Sequence, residues 1–310
     1  MAIFQLYNYQ FGKIVSEETN NLFNEKTAKE ISEENFPLRQ EIFGKLFKND
    51  YDRTSPIVFT NISASKDYAH KHLMPPTDGI IILRVANVRK RQIVQSDFKV
   101  KQEADFINCL IIIDNRDGIQ RIAIEQNKSV FKDINTLVNI FKHSINKILR
   151  PYGLLIELYQ LQNSCDFWRC VNDKREYPNG FYKLIFKLPH LNLDRLTKKI
   201  DKIATLARKS YDSDMTIEMT ANKGGSLNLS ENDPLQKAQI EYMTEDLGGN
   251  SVIMVPADNK RSKINIRTIS NKTTSISNGI FTQIQEDAAG NTLFKSDALD
   301  EVKRKTTIGI

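Results

Sequence analysis

The stretch from Phe106 to Glu125 leaves the backbone little choice. Two apolar runs, Phe106 to Asp114 and Ile119 to Glu125, flank Asn115-Arg116-Asp117-Gly118. An Asp-Gly pair between β-branched runs favours a tight turn, because glycine takes the positive φ that such a turn demands. We therefore expect an antiparallel hairpin, and its strands are too apolar to stand in water uncovered. A cover lies close by. Phe131, Ile134, Leu137, Val138, Phe141, Ile145, Ile148 and Leu149 recur at helical spacing and stop before Pro151.

The same periodicities extend the pattern in both directions. Ile3 to Phe11 alternates as a half-buried strand does, and Gly79 to Val88 reads as a buried strand around Ile80-Ile81-Ile82-Leu83. Between them, helical spacing runs through Leu22, Phe23 and Ile31. A second helix is expected with Asn35 as its cap, Pro37 early in it and Leu38, Ile42, Phe43, Leu46 and Phe47 on one face. Ile57 to Phe59 suggests a short strand, and Ser63 to Thr77, bounded by Pro75-Pro76, an exposed loop. Leu154 to Leu161 returns as a strand, and Asn163 to Asn179 reads as a connecting loop.

The second half restarts with a strand, Phe181 to Leu188. A helix from Leu193 to Ser210 capped by Asn192 follows, then a strand near Met215 to Met219 and a helix opened by Pro234. Ser251 to Val255 and Ile264 to Ile269 form a hairpin across Asp258-Asn259-Lys260-Arg261. The expected class is α+β, as two mixed units: an N-terminal domain over 1–170 and a C-terminal domain over 180–270. From Ser270 the chain turns polar, so 271–310 is expected as a partly ordered tail with a short charged helix near Ala298 to Lys305.

With 310 residues, 40% apolar and 26% charged, the chain has enough bulk for two cores and is not disordered as a whole. Cys109, Cys165 and Cys170 cannot all pair, and we expect free thiols in a reducing compartment. The N-terminus lacks the basic, apolar and small-residue order of a signal peptide, and no apolar run reaches spanning length. From these features we expect a cytoplasmic protein without direct membrane insertion.

Charge gives the leading functional indication. The net charge is +6 and the sequence pI near 9.0, which favours a polyanionic partner. Arg84, Arg89, Lys90 and Arg91 gather at the end of a strand, with Lys99 and Lys101 soon after. Arg195, Lys198, Lys199, Lys202, Arg208 and Lys209 crowd one expected helix, where Lys198, Lys202 and Lys209 fall within about 40° of one another. Lys260, Arg261 and Lys263 in the later hairpin extend the basic set. A ridge of this kind spans phosphates and releases counterions, although a merely solvated face has the same composition. There is no helix-turn-helix, zinc finger or aromatic stacking signature, so contacts to the backbone are expected rather than base readout.

No catalytic motif is present. The best carboxylate pair is Asp114 with Glu125, and Lys128 nearby would complete a magnesium-dependent nuclease site. The Lys is one residue out of the usual register, which turns it to the opposite face of a strand, and Asp114 is equally a strand-end residue of the hairpin. His70-Lys71-His72 falls in the expected loop with only Asp67 at hand, so no metal site is assigned there. Lys223-Gly224-Gly225-Ser226 is too short for a phosphate loop.

From Phe181 to Ile269 the layout resembles the C-terminal half of bacteriophage-exclusion and defence proteins of the lambda RexA and Kiwa B-component kind. The resemblance lies in the basic helix after Phe186-Lys187-Leu188, the strand Thr216-Ile217-Glu218-Met219, the turn Lys223-Gly224-Gly225, and the hairpin Ile111 to Glu125 followed by a long helix. It implies a non-enzymatic, self-associating DNA-binding protein that acts as sensor or accessory in a defence operon beside a partner protein. No cofactor is implied, and no functional residue carries across. The alternatives are the divalent-metal-dependent nuclease and a protein-interaction module whose basic charge docks on an acidic protein.

Overall fold

The computed structural model describes residues 1–14, 28–94, 96, 100–188, 214–222, 224–246, 250–282, 284–286, 292–294 and 296–307. The fold is α+β. It divides into two compact units, the first built from 1–5, 9–158 and 274–308, the second from 6–8, 159–273 and 309–310.

In the first unit β1 (Ala2–Lys13) is followed by α1 (Ala28–Asn35), α2 (Arg39–Tyr51), β2 (Phe59–Asn61), β3 (Lys66–His72), β4 (Ile80–Val94), β5 (Val100–Asp114), β6 (Arg121–Glu125), α3 (Ile134–Leu149) and β7 (Leu154–Gln160). The hairpin expected around Asp117-Gly118 is present as β5 and β6, with Asp114 opposite Arg121 and Gly118 at φ +76°. β4 pairs with β5 from Ile80↔Asp114 to Val94↔Val100. The eight-stranded sheet runs β12-β1-β6-β5-β4-β3-β2, with β7 also on β1. β12 (Thr273–Ile276) comes from the segment read as tail, and the helix Ser296–Thr307 buries Ala298, Leu299 and Val302.

Aromatic rings from α2, α3 and the strands fill one side of this sheet. Tyr9, Phe11, Phe43, Phe47, Phe141 and Phe59 touch in series, with centroids 5.1 to 6.4 Å apart. Each buried ring contributes roughly 1.5–3 kcal/mol by leaving water, which is why the helical spacing of Phe43, Phe47 and Phe141 dictates where α2 and α3 sit. Asn35 does not cap α2 with its side chain. Its Nδ2 donates to the Tyr152 carbonyl, and a 3-10 turn over Phe36–Leu38 with Pro37 inside leads into the helix.

The second unit holds α4 (Ser164–Asn172), β8 (Phe181–Leu188), β9 (Met215–Thr220), a helix Pro234–Glu241, β10 (Ser251–Pro256) and β11 (Ile264–Asn265). Its antiparallel sheet runs β11-β10-β8-β9. Leu184, Phe186 and Leu188 face α4 and the later helix through a core that includes Phe167, Trp168, Ile240, Val252 and Met254. The expected loop over Asn163 to Asn179 thus contains a helix: the Asn163 side chain accepts from the Cys165 backbone N–H, and Phe167, Trp168 and Val171 supply the apolar face. The strand expected to reach Ile269 stops at Asn265 and turns into a short helix, Ile266–Ile269. The basic helix expected over 193–210 lies outside the described residues. No helix among the described residues is long and apolar enough to cross a membrane.

Candidate functional site

The segment Ser63 to Thr77 is a loop only in part. Its Lys66–His72 stretch forms the second strand of a β2-β3 hairpin, with Phe59 opposite Tyr68 and Asn61 opposite Lys66. The alternation of β3 then decides its chemistry: Asp67, Ala69 and Lys71 are exposed, while Tyr68, His70 and His72 turn the other way. The two histidines stand one pleat apart on the covered face, where sequence spacing alone gave them no third partner.

That partner is Asp50, in the last turn of α2. Its Oδ2 accepts from His70 Nε2 at 2.8 Å and from His72 Nε2 at 2.7 Å, while Oδ1 accepts the Ile57 backbone N–H at 2.7 Å. The Asp50 side chain is 1% exposed and those of His70 and His72 are 13% and 5%. Burial opposes the charge, but hydrogen bonds from His70, His72 and Ile57 outweigh it and hold the carboxyl well below its usual range. Phe59 meets the His70 ring edge-on at 4.8 Å, and Tyr51 meets His72 at 5.5 Å. His72 Nδ1 is buried and has no partner.

The helix end is unusual in two respects. A carboxylate near a helix C-terminus opposes the macrodipole, at a cost of roughly 0.3–1 kcal/mol. Arg53, just beyond, adopts φ 57°, the left-handed region in which a helix terminator more often has glycine. Asp50, Tyr51, Arg53, Pro56, His70, Lys71 and His72 together line a cavity of about 270 Å³. Among the described residues they include the one set of three or more histidine, cysteine or acidic groups close enough to share a metal ion, their donor atoms all within 4.8 Å of one another.

The carboxylates singled out from sequence lie elsewhere and apart. Asp114 is fully buried and accepts from Arg116 Nε at 2.9 Å, Arg116 Nη2 at 2.7 Å and Thr306 Oγ1 at 2.8 Å. Glu125 stands four residues along β6 from the residue opposite Asp114, a separation of roughly 13 Å, and its Oε2 accepts the Leu110 backbone N–H. Burial raises the Glu125 carboxyl, partly offset by that hydrogen bond and by Arg84. Lys128 is exposed. The strand register thus keeps the two carboxylates from converging.

Of the basic residues singled out from sequence, those described stand on β4 and β5 and between β10 and β11. Arg84 is exposed beside Lys71, its partner across the β3-β4 ladder. Arg89 donates to the Val130 carbonyl and is registered opposite Asp105, and Arg91 is registered opposite Glu103. Lys90 pairs in register with Ala104, and Lys101 forms an ion pair with Glu103. Lys260 lies 4.3 Å from the centre of the Tyr182 ring, and Arg261 and Lys263 are exposed. Arg195, Lys198, Lys199, Lys202, Arg208 and Lys209 lie outside the described residues.

A further polar and basic face lies along α3, opposite its apolar side. α3 contains no Asp or Glu, and Asn135, Asn139, His143, Lys147 and Arg150 are all exposed along it. At 100° per residue they fall within about 120° of one another. Beside them is a groove of about 310 Å³ lined by Thr60, Asn61, Ile62, Ser63, Thr136, Asn139, Ile140 and His143, with no carboxylate in its walls. Cys109 and Cys170 are buried, Cys165 is exposed, and all three are free. No family model, curated protein or solved structure matches the chain, so the meaning of both sites rests on their own geometry.

Proposed function

We propose that the protein binds nucleic acid, DNA in the first instance, through its phosphate backbone and without chemical change to it. The observation that carries this reading is the acid-free face of α3, where hydroxyls, amides and a histidine border one groove and Lys147 and Arg150 continue the same stripe along the helix. Phosphate contacts from neutral donors and a few cations position a protein on a duplex without reading sequence. The net charge of +6 supplies the long-range attraction. Lys147 and Arg150 also complement the C-terminal end of the α3 dipole, a purely structural role. What favours an interface is Asn139 and His143 continuing the stripe beyond the last turn. The resemblance to phage-exclusion and defence proteins supports a place as self-associating sensor or accessory subunit, beside a partner protein of the same operon.

Binding is tested by anisotropy of a labelled duplex over a salt series, with and without chelator. Affinity should fall steeply with salt and be indifferent to chelation. Lys147→Glu with Arg150→Glu should weaken binding at low salt by about tenfold or more and reduce the salt slope by about 1.8, roughly 0.9 for each lost phosphate contact. Lys198, Lys202 and Lys209 changed together to Glu test the second basic ridge. Unchanged affinity in both variants would remove these faces as the interface, and no binding at low salt would end the nucleic-acid reading.

A further inference from the structure

We propose that Asp50, His70 and His72 are the protein ligands of a divalent first-row transition ion of the zinc type, bound at the floor of the cavity beside Tyr51 and Pro56. This site is independent of the nucleic-acid reading and of the α3 face.

The donor chemistry points to the ion. Two imidazole nitrogens and one carboxylate oxygen form the protein set of many zinc and non-haem iron sites, in which the remaining positions stay open. Magnesium and calcium prefer oxygen donors and would find only one here. Convergence is the second argument. Both imidazoles aim the same ring nitrogen, Nε2, at one oxygen, Oδ2. The other oxygen is committed to the Ile57 N–H, which fixes the carboxylate plane from behind, as outer-shell partners of metal ligands do. Third, the arrangement opens onto a cavity of about 270 Å³, so an ion would keep room for water or an exogenous ligand.

The competing explanation is a closed Asp-His-His hydrogen-bond network that only fastens α2 to β3. It accounts for the short contacts and gives the carboxylate its donors, but it places that carboxylate at the wrong end of a helix dipole. A metal ion supplies the positive charge that this oxygen lacks. The present N···O gaps of 2.7 and 2.8 Å are hydrogen-bond distances. Metal–ligand bonds of about 2.1 Å at tetrahedral angles put donors about 3.4 Å apart, so the side chains must open by about 0.6 Å. The proton now on each Nε2 moves to Nδ1 of the same ring, with no net change in imidazole charge. For His72 this leaves a buried N–H without a protein acceptor, a small cost beside three metal–ligand bonds. Arg53 and Lys71 line the same cavity and oppose a bare dication, which favours an ion carrying an anionic exogenous ligand.

The test uses the full chain, stripped with chelator and dialysed. Zn2+ is titrated calorimetrically and Co2+ by visible absorption, whose intensity reports low coordination number. One ion per chain is expected, with no competition from Mg2+. Asp50→Asn and His70→Gln should each weaken binding by more than the roughly 10–100-fold that losing an outer-shell partner costs. Asp67→Asn, on the opposite face of β3, should leave it unchanged. If Asp50→Asn fails to fold by circular dichroism, His70→Gln carries the comparison, since that ring lies nearer the surface. Absence of Zn2+ and Co2+ binding to the wild-type chain would overturn the proposal, as would wild-type affinity in His70→Gln.

Discussion

Replacing Asp50 by alanine should destabilise the metal-free first unit by about 3 kcal/mol. The carboxylate accepts three hydrogen bonds, from Ile57 N, His70 Nε2 and His72 Nε2, at 2.7, 2.8 and 2.7 Å. Hydrogen bonds to a charged acceptor contribute about 1.5–3 kcal/mol each, net of desolvation. The three share one acceptor and do not add, and removing the charge recovers up to about 1 kcal/mol of unfavourable helix-end electrostatics. A net cost near 3 kcal/mol lies at the lower end of what breaking a buried pair usually costs. The single tryptophan, Trp168, belongs to the second unit's core, so its fluorescence reports that unit. Urea titration should therefore be read by amide exchange over the segment containing Ile57, whose N–H loses its acceptor. The pH dependence follows from the sign of the shift. Asp50 is held below its ordinary range, so its contribution is complete above about pH 4, the unfolded carboxyl value, and is lost as pH falls further. The gap between wild type and variant should close on acidification below that point. A loss under about 1 kcal/mol with Ile57 exchange no faster would mean that the network is solvated and fastens nothing.

Two further outcomes test the fold. Burial and the Glu125 charge push the Cys109 thiol up to about 12, and burial also raises Cys170, whereas Cys165 is exposed. A thiol reagent at mildly alkaline pH should label Cys165 quickly and the other two only after denaturation; fast labelling of Cys109 would contradict the β4-β5-β6 core. Gly153→Ala should cost well over the ~1 kcal/mol of a left-handed alanine, because its Cβ would fall 2.7 Å from Ser32 N and 2.8 Å from Ser32 Cα. Gly118→Ala, at φ +76° with nothing within 4 Å, should show only the conformational cost. Equal melting temperatures for the two variants would refute the close approach of α1 at Gly153.

Much of the fold was legible because its determinants are local. The β5-β6 hairpin follows from Asp117-Gly118, and the span of β8, Phe181–Leu188, is that of the apolar run expected as a strand. α3 was readable from the spacing of its buried residues and the proline beyond it. The misreadings share a physical cause. Asn163 to Asn179 looked like a loop because its apolar residues are few, yet one side-chain cap and three large residues packed on a sheet suffice for a nine-residue helix. Asn35 looked like a cap because Asn before Pro commonly is one, but a longer-range acceptor, the Tyr152 carbonyl, holds its amide. Polar composition after Ser270 suggested weak order, while β12 and the helix Ser296–Thr307 hold positions through a few well-spaced buried groups such as Thr274, Ile276 and Val302.

The Asp50 centre was half legible. His-Lys-His between Tyr68 and Leu73 has the period of a strand, and a strand puts both imidazoles on one face, so the pair could have been found by testing alternation before assigning a loop. The carboxylate could not. Asp50 is 20 residues from His70 in sequence, and only the packing of α2 across the sheet, through Phe43 and Phe47, brings it to the histidines. Its one local sign is energetic: an aspartate in the last turn of a helix opposes the dipole. That sign is weak alone, because exposed aspartates tolerate the position at little cost. Burial makes it informative, since a buried carboxylate there must be matched by donors or by a cation. The structure supplies the donors, two imidazoles and one backbone N–H, and only packing brings them to the carboxylate.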